Sequence, residues 1–341
     1  MKKYKILFLI IANLTAHTLC AQDFTFSQFY EMPMMRNPAI AGIFTGDLRV
    51  QAAYRNQWAS ITTPYKTMAL SAELKKAVGF NDDYVTIGLQ LNNDVAGDLN
   101  FGVLQLLPAI NYMKSVNQGN GYLSAGFMGG LVQSKFDVTK GTWNEQFQNG
   151  QFSPDNYAGQ SFKTTSISHF DASFGLAFSN TIESSLTNYY VGVGYYHFNK
   201  PKSTFLEDNF KLTPRLVLNA GLSTPTGYAD NIYIYGDYIK QGGNTQTLLG
   251  IMYSHTSEES DEENASKRGI SFGGFYRWAD AFIPVVKLDL GKVALGFSYD
   301  VNVSKLTIAS QARGGFEVTG SYKSFLNIRN TSLYQSKCPR F

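Results

Sequence analysis

Val293-Ala294-Leu295-Gly296-Phe297-Ser298-Tyr299-Asp300-Val301-Asn302 is the stretch on which the reading of this chain turns. Val293, Leu295, Phe297, Tyr299 and Val301 occupy every second place, and Ala294, Gly296, Ser298, Asp300 and Asn302 fill the places between. Alternation with a period of two sends the two sets to opposite faces of a β-strand. One face is large and apolar, the other small or polar. Two surroundings accept such a strand. One is a half-buried sheet in a soluble domain. The other is a membrane β-barrel, with lipid against the first face and a wet or plugged lumen against the second.

The same alternation recurs along the chain. Val85, Ile87, Leu89 and Leu91 alternate with Thr86, Gly88, Gln90 and Asn92; Phe170, Ala172, Phe174, Leu176 and Phe178 alternate with Asp171, Ser173, Gly175, Ala177 and Ser179. Phe316, Val318 and Tyr322 stand against Glu317, Thr319, Ser321 and Lys323. About fourteen strands are expected, near 46–58, 65–74, 84–93, 100–114, 121–133, 167–179, 188–198, 214–223, 230–239, 244–254, 269–277, 281–289, 292–302 and 314–325. The fold class is therefore all-β, a transmembrane antiparallel barrel over residues 46–325. An even count returns both ends of the barrel to one side, taken as periplasmic. Segments 134–166, 199–213 and 303–313 then face outward, and turns 180–187 and 224–229 face the periplasm. Pro108 and Pro284 fall within apolar runs, where the missing N–H predicts a bulge, a rim or a strand boundary.

Composition agrees. Charged residues make up 16%, against roughly 25% in ordinary soluble domains. Aromatics reach 14%, with 25 Phe and 21 Tyr, beside 31 Gly, as in barrels with aromatic girdles. The net charge of +3 equals the contribution of Lys2, Lys3 and Lys5, which leaves no electrostatic case for binding nucleic acid.

Those lysines, the apolar run from Ile6 to about Ala16, and Thr18-Leu19-Cys20-Ala21 form a signal-peptide pattern over residues 1–21, with cleavage expected after Ala21. The run is too short for a spanning helix of about 20 residues. Leu19 stands where a small residue is usual. It also disfavours the alternative in which Cys20 carries a lipid. Processing would leave Cys338 as the only cysteine, so no internal disulfide is expected. Residues 22–45, rich in Phe and Met and broken by Pro33 and Pro38, do not read as a strand. A plug in the lumen is expected, with a short helix near 27–32. Residues 326–341 would form a periplasmic tail. The acidic stretch 258–264 is a solvated turn or a site for a cation or basic partner.

Tyr54-Arg55-Asn56-Gln57-Trp58 ends the first strand. Tyr54 and Trp58 would point outward, where interfacial rings are favoured; Arg49, Gln51, Arg55 and Gln57 would point inward. Two arginines in a lumen require counter-charges or water, and Glu73 or Glu31 could supply them. The cluster is then either a network that locks the plug or a ligand site. Signs of catalysis are sparse. His169, His197 and His255 have no partner at metal-ligand spacing. Val191-Gly192-Val193-Gly194 lacks the third glycine of a dinucleotide loop, and no nucleophile elbow or P-loop appears. No enzyme activity, metal or cofactor is expected. A surface hydrolase would need a triad or metal set that the outer loops do not display.

Four patches resemble the PorP/SprF family of outer-membrane proteins, tied to type IX secretion in Bacteroidetes. They are Phe26-Ser27-Gln28-Phe29-Tyr30 with Asn37-Pro38-Ala39-Ile40-Ala41-Gly42; Tyr54-Arg55-Asn56-Gln57-Trp58; Tyr276 to Pro284, Gly296 to Asn302 and Arg313 to Glu317; and Cys338-Pro339-Arg340-Phe341. The stretch 135–265 carries no such signature. The resemblance implies a FadL-like barrel in the outer membrane and a non-enzymatic role in type IX secretion or gliding. Implied partners are outer-membrane lipid, exported surface cargo, and periplasmic ring or peptidoglycan-associated lipoproteins. In that setting Cys338-Pro339-Arg340-Phe341 would be held by a periplasmic partner. The alternative function is a FadL-like pore for hydrophobic or small solutes.

Overall fold

A computed structural model describes residues 23–79, 82–153, 155–156, 164–205, 209–257, 268–305 and 307–326. The expected signal peptide, the acidic loop 258–264 and Cys338, Pro339, Arg340 and Phe341 lie outside the described residues.

Fourteen strands close into one barrel. They are β1 (Leu48–Gln57), β2 (Tyr65–Val78), β3 (Asp83–Ala96), β4 (Phe101–Val116), β5 (Gly121–Lys135), β6 (Ser166–Ile182) and β7 (Thr187–Tyr196). The second half holds β8 (Arg215–Pro225), β9 (Asp230–Gln241), β10 (Asn244–Ser257), β11 (Arg268–Arg277), β12 (Ala281–Leu290), β13 (Val293–Asn302) and β14 (Arg313–Ser324). Each strand pairs antiparallel with its neighbours in sequence. β14 returns to β1, with Leu48 opposite Ser324 and Gln57 opposite Gly315. Closure gives each of the fourteen strands a partner on both sides, so the barrel has no free edge strand. The expected barrel and strand number are those observed.

Burial decides between the two surroundings left open by alternation. On β13, Leu295 and Phe297 are 47% and 51% exposed, while Ser298 and Asp300 are 0% and 2% exposed. A soluble half-buried sheet would show the reverse. The large apolar face points away from the protein all round the ring, at Ile87, Leu131, Leu176 and Leu249 as at Phe297. The polar face is packed inside. This inside-out arrangement requires a hydrocarbon surround. No described helix is long and apolar enough to cross a membrane.

The prolines behave differently from expectation. Pro108 stands within β4 and Pro284 within β12, with no bulge and no boundary at either. Pro108 stays opposite Leu89 on β3. Against β5 the ladder skips from Leu106↔Leu131 to Ala109↔Met128 without changing register. Pro284 likewise keeps its place against Gly274 and interrupts only the pairing with β13. One missing donor costs a local pair, and the long flanking ladders hold the register. The register shift in this region lies between Asp300 and Val301 against β14.

The longer connections, 136–165, 197–214 and 303–312, gather at one end, called here the loop end. Connections 117–120, 183–186, 226–229 and 291–292 lie at the other, the turn end, where β10 also ends at Ser257 and β11 begins at Arg268. Leu48 and Ser324 share the turn end. Asp23, the first described residue, donates its amide to Gln241 at the loop end. The amide of Asp47 donates to the Ser324 carbonyl at the turn end. Residues 23–47 therefore run through the barrel from one mouth to the other. Both ends of the barrel thus lie on one side, as an even strand count expects; the passage of residues 23–47 through the lumen was not foreseen, because alternation reports strand ends and is blind to a segment threaded between them.

Phe297→Arg tests the outward face. A cation at mid-strand in hydrocarbon should cost about 2–4 kcal/mol, measured by reversible unfolding in lipid vesicles. Stability unchanged in lipid would contradict a lipid-facing Phe297.

Candidate functional site

Residues 23–47 cannot form one long helix, because Pro33 and Pro38 each remove a donor. They fold as short turns instead: a 3-10 turn Phe29–Glu31, the helix α1 (Pro33–Arg36) and a 3-10 turn Pro38–Ile40. Proline suits the first helical position. The Asn37 side chain accepts from the Ala39 amide at 2.9 Å and caps the last turn. Such a chain satisfies few of its own backbone groups, and buried groups must find partners.

Inward side chains of the wall supply them. Glu317 accepts from the amides of Ser27 and Gln28, both at 2.7 Å. Glu73 accepts from the Gly42 amide at 2.7 Å. Asn111 donates to the carbonyls of Ala39 at 3.0 Å and Ala41 at 2.6 Å. Tyr196 donates to the Met34 carbonyl at 2.9 Å. Arg55 donates to the Thr25 carbonyl and Lys75 to that of Phe44.

Ion pairs add charge-assisted clasps. The Arg36 guanidinium takes both oxygens of Asp237, at 2.8 and 2.5 Å, and donates to Tyr190 at 2.6 Å. Arg49 takes both oxygens of Glu73 at 2.9 Å. Lys287 donates to Glu31 at 2.5 Å. Asp300 joins three groups: Arg55 at 2.8 Å, Arg277 at 2.6 Å and the Ser27 hydroxyl at 2.6 Å. Bidentate arginine–carboxylate pairs fix direction as well as distance.

The apolar side chains of the segment complete the packing. Phe29 and Met34 share a cluster with Leu107, Met128, Val217, Leu248, Phe275 and Ile283. Ile40 and Ile43 pack with Tyr84, Met113 and Tyr122. Each large side chain so buried contributes about 1.5–3 kcal/mol. A floor of glycines lets the segment reach the wall. A Cβ on Gly126 would overlap the Pro38 carbonyl, and one on Gly175 or Gly192 would overlap the Asn37 amide. The glycines of Val191-Gly192-Val193-Gly194 thus belong to strand β7 and serve close backbone approach.

Phe26, Ser27, Gln28, Asn37, Pro38, Ala39 and Gly42 all lie buried within the barrel. Arg49, Gln51 and Arg55 are buried on the inward side of β1, and Tyr54, Asn56 and Gln57 are half-buried. Trp58 leaves the strand at φ 59° with its ring edge-on to Tyr65 at 5.2 Å. Of the two counter-charges expected, Glu73 serves Arg49. Arg55 takes neither; its partner is Asp300. Sequence reasoning missed Asp300 and Glu317 as partners, although each is an acid on the inward face of a strand whose alternation was plain.

A second clasp closes the loop end. His197 lies between Asp23, at 2.7 Å from Nε2, and Asp171, at 2.9 Å from Nδ1. Arg215 donates to Asp23 at 3.2 Å and stacks on Tyr196. Burial alone would lower the His197 pKa, but Asp23 and Asp171 outweigh it and hold it up to about 10. Burial alone would raise the Asp23 carboxyl, and His197 and Arg215 hold it well below the usual range. Spacing along the chain made His197 look isolated; its partner Asp23 is 174 residues away. Among the described residues no three His, Cys, Asp or Glu side chains converge as a metal set.

The family model for the type IX secretion system membrane protein PorP/SprF matches residues 19–322. The Ralstonia pickettii toluene transporter TbuX shares the fold, at 11% identity and a TM-score of 0.50, over 87% of this chain and 94% of that one. The TodX monoaromatic hydrocarbon channel aligns at 12% identity and a TM-score of 0.43, over 87% and 94%. No curated protein matches the chain.

Asp300→Ala should destabilise the barrel by about 3–5 kcal/mol, because Arg55 and Arg277 would stay buried without their shared counter-charge; thermal unfolding in detergent measures it. The His197 clasp predicts a pH dependence. A raised histidine pKa stabilises fully below its ordinary 6.5, and the contribution fades as pH rises through about 10. The depressed Asp23 stabilises above its ordinary 3.8 and loses that as pH falls. Protease release of the amino-terminal segment should be slowest between those ordinary values and fastest above pH 10. His197→Gln should flatten the alkaline arm.

Proposed function

The chain belongs to the PorP/SprF family of type IX secretion system membrane proteins, and from that premise we propose that it is a closed, non-enzymatic adaptor in the outer membrane. Residues 23–47 act as a fixed plug. The loop end faces outward and receives or anchors a particular exported surface protein. The turn end faces the periplasm and contacts ring or peptidoglycan-associated components. Residues 1–21 direct export and are removed. The tail 326–341, ending in Cys338-Pro339-Arg340-Phe341, is the part a periplasmic partner holds.

The observation that carries this reading is the seating of the plug. It is bonded through Glu317, Glu73, Asp237, Asn111 and Asp300 to strands round the ring. A segment tied on every side suits a permanent stopper better than a gate that must open in each transport cycle. Transport of hydrophobic or small solutes is the second reading, and the fold shared with a toluene transporter favours it.

Deleting the gene separates the two. Loss of a subset of type IX cargo from the cell surface is expected, with uptake of small aromatic solutes unchanged and the purified chain silent in planar bilayers. Unaltered surface cargo together with lost uptake would reverse the order of the readings.

A further inference from the structure

Below the plug, toward the turn end, the lumen keeps a cavity of about 310 Å³ that reaches Gly291. This is the lower size range of small-ligand sites. One wall is aromatic: Tyr30 stacks on Tyr235 at 4.9 Å and 17°, and Tyr233 lies nearly parallel to Tyr235 at 6.3 Å. The buried Tyr30 hydroxyl has no hydrogen-bond partner among the described residues. Ser254, Thr256 and Ser271 line the same space.

The charges lining the cavity are matched in pairs, with two left over. Arg36 is answered by Asp237, Arg49 by Glu73 and Lys287 by Glu31. Lys323 on β14 and Asp289 on β12 also line the space. Among the described residues, neither side chain has an ion pair or hydrogen bond. They stand on either side of β13. Asp289 is opposite Ala294, and Ala294 is opposite Ser321, one inward position from Lys323. A half-buried ammonium and a half-buried carboxylate, beyond hydrogen-bond distance of any opposite charge, keep part of the cost of partial desolvation. A ligand bearing the complementary pair would recover it.

We propose that this cavity binds a small zwitterion of the amino-acid or short-peptide class, entering from the turn end. Its carboxylate meets Lys323, its ammonium group meets Asp289, and its body lies against Tyr233 and Tyr235. The serine and threonine hydroxyls serve its amide groups. This site does not depend on the adaptor role, since it concerns solute binding by the intact barrel alone.

Calorimetry on the purified full-length barrel in detergent tests it with trialanine, N-acetyl-trialanine and trialanine amide. Trialanine should bind, and blocking either end should weaken binding about tenfold or more. Lys323→Gln should erase the difference between trialanine and its amide. Asp289→Asn should erase the difference between trialanine and its N-acetyl form. Neither substitution should lower the unfolding midpoint by more than a few degrees, because each removes a charge that makes no direct hydrogen bond or ion pair. The proposal is overturned if trialanine shows no heat at about 10 mM, if the three peptides bind alike, or if each variant weakens all three equally.

Discussion

The pairing of Leu48–Gln57 with Gly315–Ser324 is the contact on which the remaining structure rests. Hydrocarbon offers no partner to a backbone N–H or C=O, so a sheet in lipid must close on itself or fail. Closure brings the inward faces of the first and last strands together. It thereby sets Arg49 and Arg55 on β1 beside Glu317 on β14 and Asp300 on β13. The carboxylates and guanidinium groups that hold the amino-terminal segment become neighbours only when the ring is shut.

Closure also changes what the inner face must do. A ring of this size filled with polar side chains would ordinarily hold water. Here the proline-broken segment arrives with unsatisfied amides and carbonyls, and the wall with unsatisfied side chains, and each completes the other. Glu317 accepts two successive amides at 2.7 Å, a geometry that fixes where Ser27 and Gln28 sit. Buried ion pairs often add little net stability compared with apolar packing. Arg36–Asp237 and Arg55–Asp300 are better understood as register marks, which select one depth and one rotation of the segment. Phe29, Met34, Ile40 and Ile43 provide the packing that those marks direct.

Much of this was readable in advance. Every strand announced itself by alternation, because lipid and lumen impose opposite demands on successive residues. The segment announced itself by Pro33, Pro38 and its phenylalanines and methionines. The prolines at 108 and 284 were misread as breaks, since sequence shows the missing donor but not the long ladders that carry the register past it. The partner of Arg55 was not among the acids offered from sequence, for a related reason: Asp300 is 245 residues away and reaches Arg55 only across the closed seam.

Periodicity, composition and the spacing of prolines therefore determined the barrel, its strand number and the presence of a non-strand lead-in, all of which are local properties of the chain. The path of residues 23–47 from the loop end to the turn end, the grip of Asp23 by His197 and Arg215, and the cavity floored by Lys323 and Asp289 were decided by tertiary structure alone. Each depends on groups hundreds of residues apart meeting across a lumen, and no local pattern encodes which inward residues will face one another once the ring has closed.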